Sequence, residues 1–443
     1  MQKKLFFLFL ALLLTGSCGT SRKAQRQYVG ENSYGVVSGE SRDATVSDEN
    51  RSATDDVQVP LLTLRLDSLL LTADTLLQCT QLGLHIVDLT TGEELYARNP
   101  LHRMRPASTE KMVTAIAALD CLGPSYQFST QLLTTATVSG STLQGDLYIK
   151  GTMDPLLTQA DVRTLANRLK AAGVRTINGR LVADASFKDG DEYGWGWCWD
   201  DENPTLTPLL VGGKPGLEAA LKSAMKNAGI TLKKGVTTGA APAAARELIA
   251  FRRPLTDVLQ PMMKESDNLC AEAVFYQLQR PAMYGGDRQA RGKHYSRKLA
   301  AEIIKDLINR AYAEQPIPGG AGGESASIAD GSGLSLYNYQ TPETFTRLLT
   351  YAASRPDSIY VPLLTSLPIA AVDGTLKNRM AGTPAAENVR AKTGSVTAVS
   401  TLVGYTTQRS TGHLIAFAIM NNGLPRMAEG RALQDKICIV LSE

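Results

Sequence analysis

A chain of 443 residues in which 46 Lys and Arg face 43 Asp and Glu carries a formal charge of only +3, which excludes the dense basic surface of a nucleic-acid binder. The four histidines are scattered without His-Glu-x-x-His and the six cysteines without Cys-x-x-Cys, so no metal site is expected and no cofactor is called for. The chain opens on Lys3 and Lys4, an apolar run over residues 5–14 that is short for a bilayer span, and then Thr15-Gly16-Ser17-Cys18. Residues 1–18 therefore read as a secretory signal peptide.

The cysteine at the end of that segment resembles the lipobox of a bacterial lipoprotein, in a loose form. The resemblance implies that Cys18 becomes the lipidated first residue of an exported, periplasmic protein held to a membrane by a lipid anchor alone. Residues 19–59 are polar and poor in large apolar side chains, so they read as a flexible tether. The body spans 60–443. Without Cys18 it keeps five cysteines, an odd number, and Cys121 and Cys270 read as buried thiols in apolar helices.

Residues 61–77 read as a helix, and 82–89 with 94–98 as a β-hairpin. Next comes Ala107-Ser108-Thr109-Glu110-Lys111, opening a helical stretch with apolar residues at Met112, Val113, Ile116 and Leu119 that suit one buried face. Residues i and i+3 share a helix side, so the Lys111 amine can reach the Ser108 hydroxyl and, if its pKa is lowered, take its proton. Alone this spacing is weak. Ser223-Ala224-Met225-Lys226 repeats it in an ordinary amphipathic helix.

Between about 125 and 251 the texture changes to a compact α+β unit, read as an insertion. Two strands, 128–138 and 143–150, flank a turn at Ser139-Gly140-Ser141. A helix over 161–172 has Asp161 as its N-cap, a strand covers 179–183, and a second helix covers 216–228. All three tryptophans lie in Tyr193-Gly194-Trp195-Gly196-Trp197-Cys198-Trp199-Asp200-Asp201, which reads equally as a ligand wall or as a rigid aromatic plug. Beyond the insertion the chain returns to helix over 254–265, and Ser266-Asp267-Asn268 precedes an apolar helix over 269–278. Turn and cap roles are the ordinary reading of such Ser and Asn. Asp330-Gly331-Ser332-Gly333-Leu334-Ser335 and Asp373-Gly374-Thr375 read as glycine turns. Lys392-Thr393-Gly394-Ser395 precedes strands over 400–406 and 413–420, so it belongs near a sheet edge, where Gly394 lets a ligand approach the backbone.

Ser-x-x-Lys, Ser-x-Asn and Lys-Thr-Gly in this chain order resemble the active-site signature of penicillin-binding proteins and serine β-lactamases. The long gap between Ser108 and Ser266, and the lack of a convincing Glu-x-x-x-Asn in 290–330, narrow the resemblance. It is to class C low-molecular-mass penicillin-binding proteins, the D-alanyl-D-alanine carboxypeptidases/endopeptidases of the S13 peptidase family (penicillin-binding protein 4 type). Asp154-Pro155, the Trp-Cys-Trp-Asp-Asp stretch, Lys264-Glu265, residues 329–335, Leu367-Pro368 and Asp373-Gly374-Thr375-Leu376 also look like that family.

The resemblance implies an α/β (α+β) serine β-lactamase/transpeptidase-like domain over 60–124 and 252–443, an antiparallel sheet flanked by helices, with 125–251 inserted. It implies a serine hydrolase that cleaves D-Ala-D-Ala in peptidoglycan stem peptides and is inhibited by β-lactams. The matching positions assign Ser108 as nucleophile, Lys111 as base and Ser266, Asn268 and Lys392 as catalytic partners, with the Lys392 charge depressing the pKa of Lys111. Thr393, Gly394 and Ser395 would bind the terminal carboxylate, and Asp201 the diamino acid of the stem. A serine β-lactamase, or a non-catalytic lipoprotein binding cell-wall peptides or β-lactams, are the alternatives. Longer members carry a further domain after the Trp-Asp-Asp segment. Here residues 204–213 pass almost at once into a helix.

Overall fold

The computed structural model describes residues 60–279, 297–314 and 326–443. The expected signal peptide, Cys18 and the 19–59 tether lie outside the described residues, as does part of the 290–330 stretch.

The alternation of the last strand explains the central architecture. Its sequence Leu-Ile-Ala-Phe-Ala-Ile-Met-Asn-Asn is apolar at nearly every position, so both faces must be covered. Five antiparallel strands form that sheet: β1 (Gln81–Asp88), β2 (Glu94–Arg98), β3 (Arg390–Val396), β4 (Val399–Thr407) and β5 (Leu414–Asn422), in spatial order β3-β4-β5-β1-β2. From β5, Ile415, Phe417 and Ile419 point into a core shared with the first helix, α1 (Leu61–Thr72), and the last (Met427–Ser442). Ala416, Ala418 and Met420 face a larger core built from helices.

That helical layer holds α2 (Glu110–Leu122), α3 (Leu255–Lys264), α4 (Asn268–Gln277), α5 (Arg297–Glu314) and α6 (Pro342–Ala353). Every residue of α2 from Glu110 to Leu119 is buried, so it has no solvent face and is not the one-sided helix its periodicity predicts. Ala115, Ala117 and Ala118 leave no bulk to hold neighbours away, and helices pack around it on all sides. The predicted helix over 61–77 breaks at Ala73 into Leu61–Thr72 and Asp74–Leu77. The predicted hairpin forms as β1 and β2.

Between α2 and α3 the chain leaves on the strand Gln127–Thr134 and returns on Arg246–Pro254, and these two pair antiparallel from Gln127↔Pro254 onward. Exit and return therefore lie side by side, with the excursion hung from two adjacent strands. Its sheet has the order Val236–Thr238, Leu181–Asp184, Leu147–Gly151, Gln127–Thr134, Arg246–Pro254, and is mixed, with parallel pairing among the first three. Helices Gln159–Ala171 and Leu217–Asn227 bury Leu165, Leu169, Leu221 and Met225 against it.

Local details here correct the sequence reading. The two long strands are each broken, because Val138–Ser139 and Thr142–Leu143 pair in a separate small sheet. The N-cap of the helix is Thr158, whose hydroxyl accepts from Asp161 N–H. Asp161, at N3, reaches back to Thr158 N–H at 2.9 Å, closing a capping box. At residues 204–213 the chain makes a two-residue hairpin: Leu210–Val211 pairs with Lys214–Pro215 across Gly212 and Gly213, both at positive φ. It then enters the helix at Leu217.

Candidate active site

Ser108 lies in a 3₁₀ turn, Ala107–Thr109, at the mouth of α2. Ala107 has φ 48°, a region that side chains disfavour, so the surroundings must hold the turn in place. Gly333 does part of this. Its φ is +84°, and a Cβ there would sit 1.9 Å from the Ala107 carbonyl oxygen, so only glycine lets the 330–335 loop press on the turn. On the other side Thr109 and Thr401 hydroxyls both donate to the Pro106 carbonyl, at 2.6 and 2.7 Å, tying the turn to β4.

Lys111 is fully buried one turn on. Its amine reaches Ser108 Oγ at 2.9 Å, Asn268 Oδ1 at 2.7 Å and the Ser332 carbonyl at 2.8 Å. Three fixed partners orient the amine, and burial brings its pKa down to about 8. Lys392, also fully buried, donates to Ser266 Oγ at 2.9 Å and to the Thr393 carbonyl at 2.7 Å. Burial, then the nearby Lys111 charge, hold Lys392 well below the ordinary lysine value. Around Lys111 the negative charges, led by Asp330, work against burial and raise it, while the repulsion between the two buried lysines disfavours charging both.

Ser266-Asp267-Asn268 divides its work between a helix cap and the two lysines. Asp267 caps α4, its carboxylate accepting from Cys270 N–H at 2.7 Å. With the cap filled, the Ser266 hydroxyl and Asn268 amide are free for the two lysines. Ser266 itself takes φ 62° to present its side chain. The structure thus brings together Ser108, Lys111, Ser266, Asn268 and Lys392.

Lys392-Thr393-Gly394-Ser395 occupies β3, the edge strand, as the pattern predicts. Gly394 is needed for close approach, because a Cβ would meet Thr401 Oγ1 at 2.1 Å and the Pro106 oxygen at 2.6 Å. Thr393 Oγ1 donates to Thr375 Oγ1 at 2.8 Å. The loop bearing Thr375 is pinned by Lys264, which donates to Asp373 Oδ2 and the Leu367 carbonyl, both at 2.6 Å. Ser108 opens into a groove of about 500 Å³ whose lining includes Ser266, Thr375, Thr393, Gly394 and Ser395.

Asp201 does not line this groove and is exposed. Within the tryptophan segment, Trp197 Nε1 donates to Asp330 Oδ2 at 2.8 Å and Trp195 stacks on Tyr337 with centroids 4.3 Å apart, while Trp199 is 93% exposed. Two of the tryptophans therefore hold the segment against the 330–337 loop, and the third points outward.

That loop is the part of the site whose role sequence reading missed. Asp330, buried, accepts from Gly333 N–H, Ser335 N–H and Asn338 Nδ2, each at 2.7 Å. Behind it Glu272 Oε1 accepts from Gly331 N–H at 3.2 Å and Ser332 N–H at 2.9 Å, and burial pushes Glu272 up to about 8. Together these residues aim the Ser332 carbonyl at Lys111. The signal was a glutamate inside the apolar run of α4, a position that needs buried partners. Gly333→Ala is expected to lower stability by about 3 kcal/mol and to displace Ser108, slowing its acylation by penicillin beyond any loss of folded protein. Denaturant unfolding beside an acylation time course checks this, and a parent-like midpoint would refute it.

Among the described residues there is no group of side chains that could hold a metal ion, and the cysteines Cys79, Cys121, Cys198, Cys270 and Cys438 are free thiols. Cys270 is buried as predicted, whereas Cys121 is only half-buried. No helix among them is long and apolar enough to cross a membrane.

The model of the D-Ala-D-Ala carboxypeptidase 3 (S13) family matches residues 62–209 and 215–443. The break in the match falls at the short hairpin described above. The D-alanyl-D-alanine carboxypeptidase DacB of Haemophilus influenzae is 28% identical over 405 residues, covering 72% of this chain and 81% of that protein. A carboxypeptidase of Mycobacterium tuberculosis is 30% identical over 376 residues, 76% of this chain and 75% of the relative. The crystal structure of penicillin-binding protein 4 from Haemophilus influenzae superposes with a TM-score of 0.71 at 24% identity, covering 84% of this chain and 97% of the other, so the two share a fold.

Proposed function

The chain belongs to the S13 family of D-Ala-D-Ala carboxypeptidases, and on that premise we propose that it is a serine-type D-Ala-D-Ala carboxypeptidase, with DD-endopeptidase capacity, working on peptidoglycan stem peptides through an acyl-enzyme on Ser108. The observation that carries this reading is the 2.9 Å contact between the Ser108 hydroxyl and a buried lysine of lowered pKa.

The steps join the contacts around Ser108 to the roles that the family resemblance implies for the matching residues. Lys111 takes the Ser108 proton as Oγ attacks the carbonyl carbon between the two D-alanines. The negative charge on the carbonyl oxygen is met by the backbone N–H groups of Ser108 and Ser395, a pre-aimed pair of the kind worth a few kcal/mol of barrier. As the C–N bond breaks, Ser266 and Lys392, in contact at 2.9 Å, relay a proton to the leaving amine, and the proton that Lys111 took from Ser108 makes it good. Thr393 and Ser395 bind the terminal carboxylate on the edge strand, and Asn268 holds the substrate amide and fixes Lys111. Water then attacks the ester, its proton returning by way of Lys111, and Ser108 is regenerated. β-Lactams present a strained carbonyl to the same serine and act as inhibitors. Asp201, carried on the segment that Trp197 docks, would pair with an ammonium group of the stem's diamino acid.

The reading extends to architecture and address. Residues 60–124 and 252–443 form the penicillin-binding domain, with 125–251 inserted through the paired strands at Gln127 and Pro254. Residues 1–18 direct export to the periplasm, and Cys18 carries the lipid that anchors the protein. On expression in a bacterium, the full chain should partition into detergent and Cys18→Ser should move it to the aqueous phase. Equal partitioning would remove the anchor from the account. The function itself is tested by release of D-alanine from a synthetic stem pentapeptide ending in D-Ala-D-Ala, and absence of release by folded, full-length protein would overturn it.

A further inference from the structure

The groove does not end where a terminal alanine would. Past Thr393 and Ser395 its lining continues over Lys377, Asn378, Arg379, Arg431 and Asp435. The whole groove, about 500 Å³, is of the size that takes a drug-sized ligand.

The charges at that end are unbalanced. Arg379 is paired with Asp435 at 2.6 Å, with its Nε on the same carboxylate at 2.8 Å, and it also donates to the Arg431 carbonyl and Gln434 Oε1. It is thereby neutralised, and it holds the last helix against the 374–379 loop. Lys377 and Arg431 remain, exposed and without an ion pair among the described residues. Two unpaired cations at one end of a groove favour an anionic occupant.

We propose that Lys377 and Arg431 form a leaving-side subsite for a carboxylate of the second stem peptide in a cross-linked substrate. The inference rests on the peptidase reading above and makes it more specific. In a terminal D-Ala-D-Ala the leaving group is one alanine, whose single carboxylate is taken up at Thr393 and Ser395. In a D-alanyl–diamino acid cross-link the leaving amine belongs to a whole stem peptide. One carboxylate of that peptide takes the alanine's place, and the rest of the acidic chain must run further along the groove. The extended, cationic end fits that chain and has no part in release of alanine alone. Lys377 and Arg431 therefore set selectivity for cross-links.

The experiment compares kcat/KM for a cross-linked muropeptide dimer with kcat/KM for the monomeric pentapeptide, using the full-length chain and its Lys377→Glu/Arg431→Glu variant. Both side chains are exposed, and penicillin acylation of Ser108 reports that the variant is folded. The ratio of dimer to monomer is expected to fall roughly tenfold in the variant, and the difference between the proteins to shrink as salt is raised. An unchanged ratio, whether both rates hold or fall together, overturns the subsite. A parent that releases D-alanine but does not cut the dimer overturns it too and leaves the carboxypeptidase reading standing. A folded parent that neither releases D-alanine nor accepts penicillin overturns both.

Discussion

Ser108→Ala is expected to abolish the covalent penicillin adduct and to lower D-alanine release from a stem pentapeptide by at least about a thousandfold. The magnitude follows from what the hydroxyl does. It forms the bond to substrate, and neither of the Lys111 amine's other hydrogen-bond partners is a nucleophile: they are an amide oxygen and a backbone carbonyl. Alanine removes one oxygen from a half-buried position and leaves the turn's own ties, through Pro106 and Gly333, untouched. The variant should therefore fold, and Lys111 keeps two of its three partners. Intact-protein mass after benzylpenicillin decides the matter. One added penicillin on the parent and none on the variant assigns Ser108 as nucleophile and the protein as a penicillin-binding peptidase. Rapid penicillin hydrolysis by the parent without an accumulating adduct would favour a β-lactamase. An adduct on the alanine variant would sink the assignment of Ser108.

The groups that meet at Ser108 were legible because each has a local reason to be where it is. Lys111 is three residues from Ser108 and on its side of the chain, so spacing alone brought the two together. Ser266 and Asn268 were ambiguous in isolation, since both suit turns and caps. The ambiguity ended only when Asp267 proved to be the cap. Lys392 sits far along the chain from Ser266, and their 2.9 Å contact depends on β3 lying at the sheet edge beside the start of α4, which no local pattern encodes. The Asp330 loop is the harder case. Its glycines announced a turn, but the demand for Gly333 comes from the carbonyl of Ala107, a residue distant in sequence. The strands of the inserted region were misjudged for a related reason. Val138–Ser139 and Thr142–Leu143 read as the ends of their longer strands, yet they peel away to pair with each other, and Thr142–Leu143 with Thr176–Ile177.

Lys111→Arg tests the base directly, and its expected loss is comparable to that of the serine. At pH 7 a lysine of ordinary value 10.5 is neutral in only about three molecules in ten thousand, whereas one brought down to about 8 is neutral in roughly one in ten, a gain of about 300-fold in competent base. The sign of the pH dependence follows. Lys111 works as the neutral amine, so parent acylation should climb as pH rises toward about 8 and level off above it. Arginine cannot lose its proton in this range and has no vacant lone pair to accept one, so the variant should lose about a thousandfold or more and show no such rise. Its bulkier head must also fit a fully buried site, so Lys111→Met is the partner variant, removing the base with a side chain of similar length. Acylation rates of all three proteins between pH 5 and 9, with folding checked by circular dichroism, separate the outcomes. If the methionine variant, folded, acylates at near the parent rate, the base lies elsewhere. Lys392, on Ser266 and likewise held well below its ordinary value by burial, would then be the group to replace.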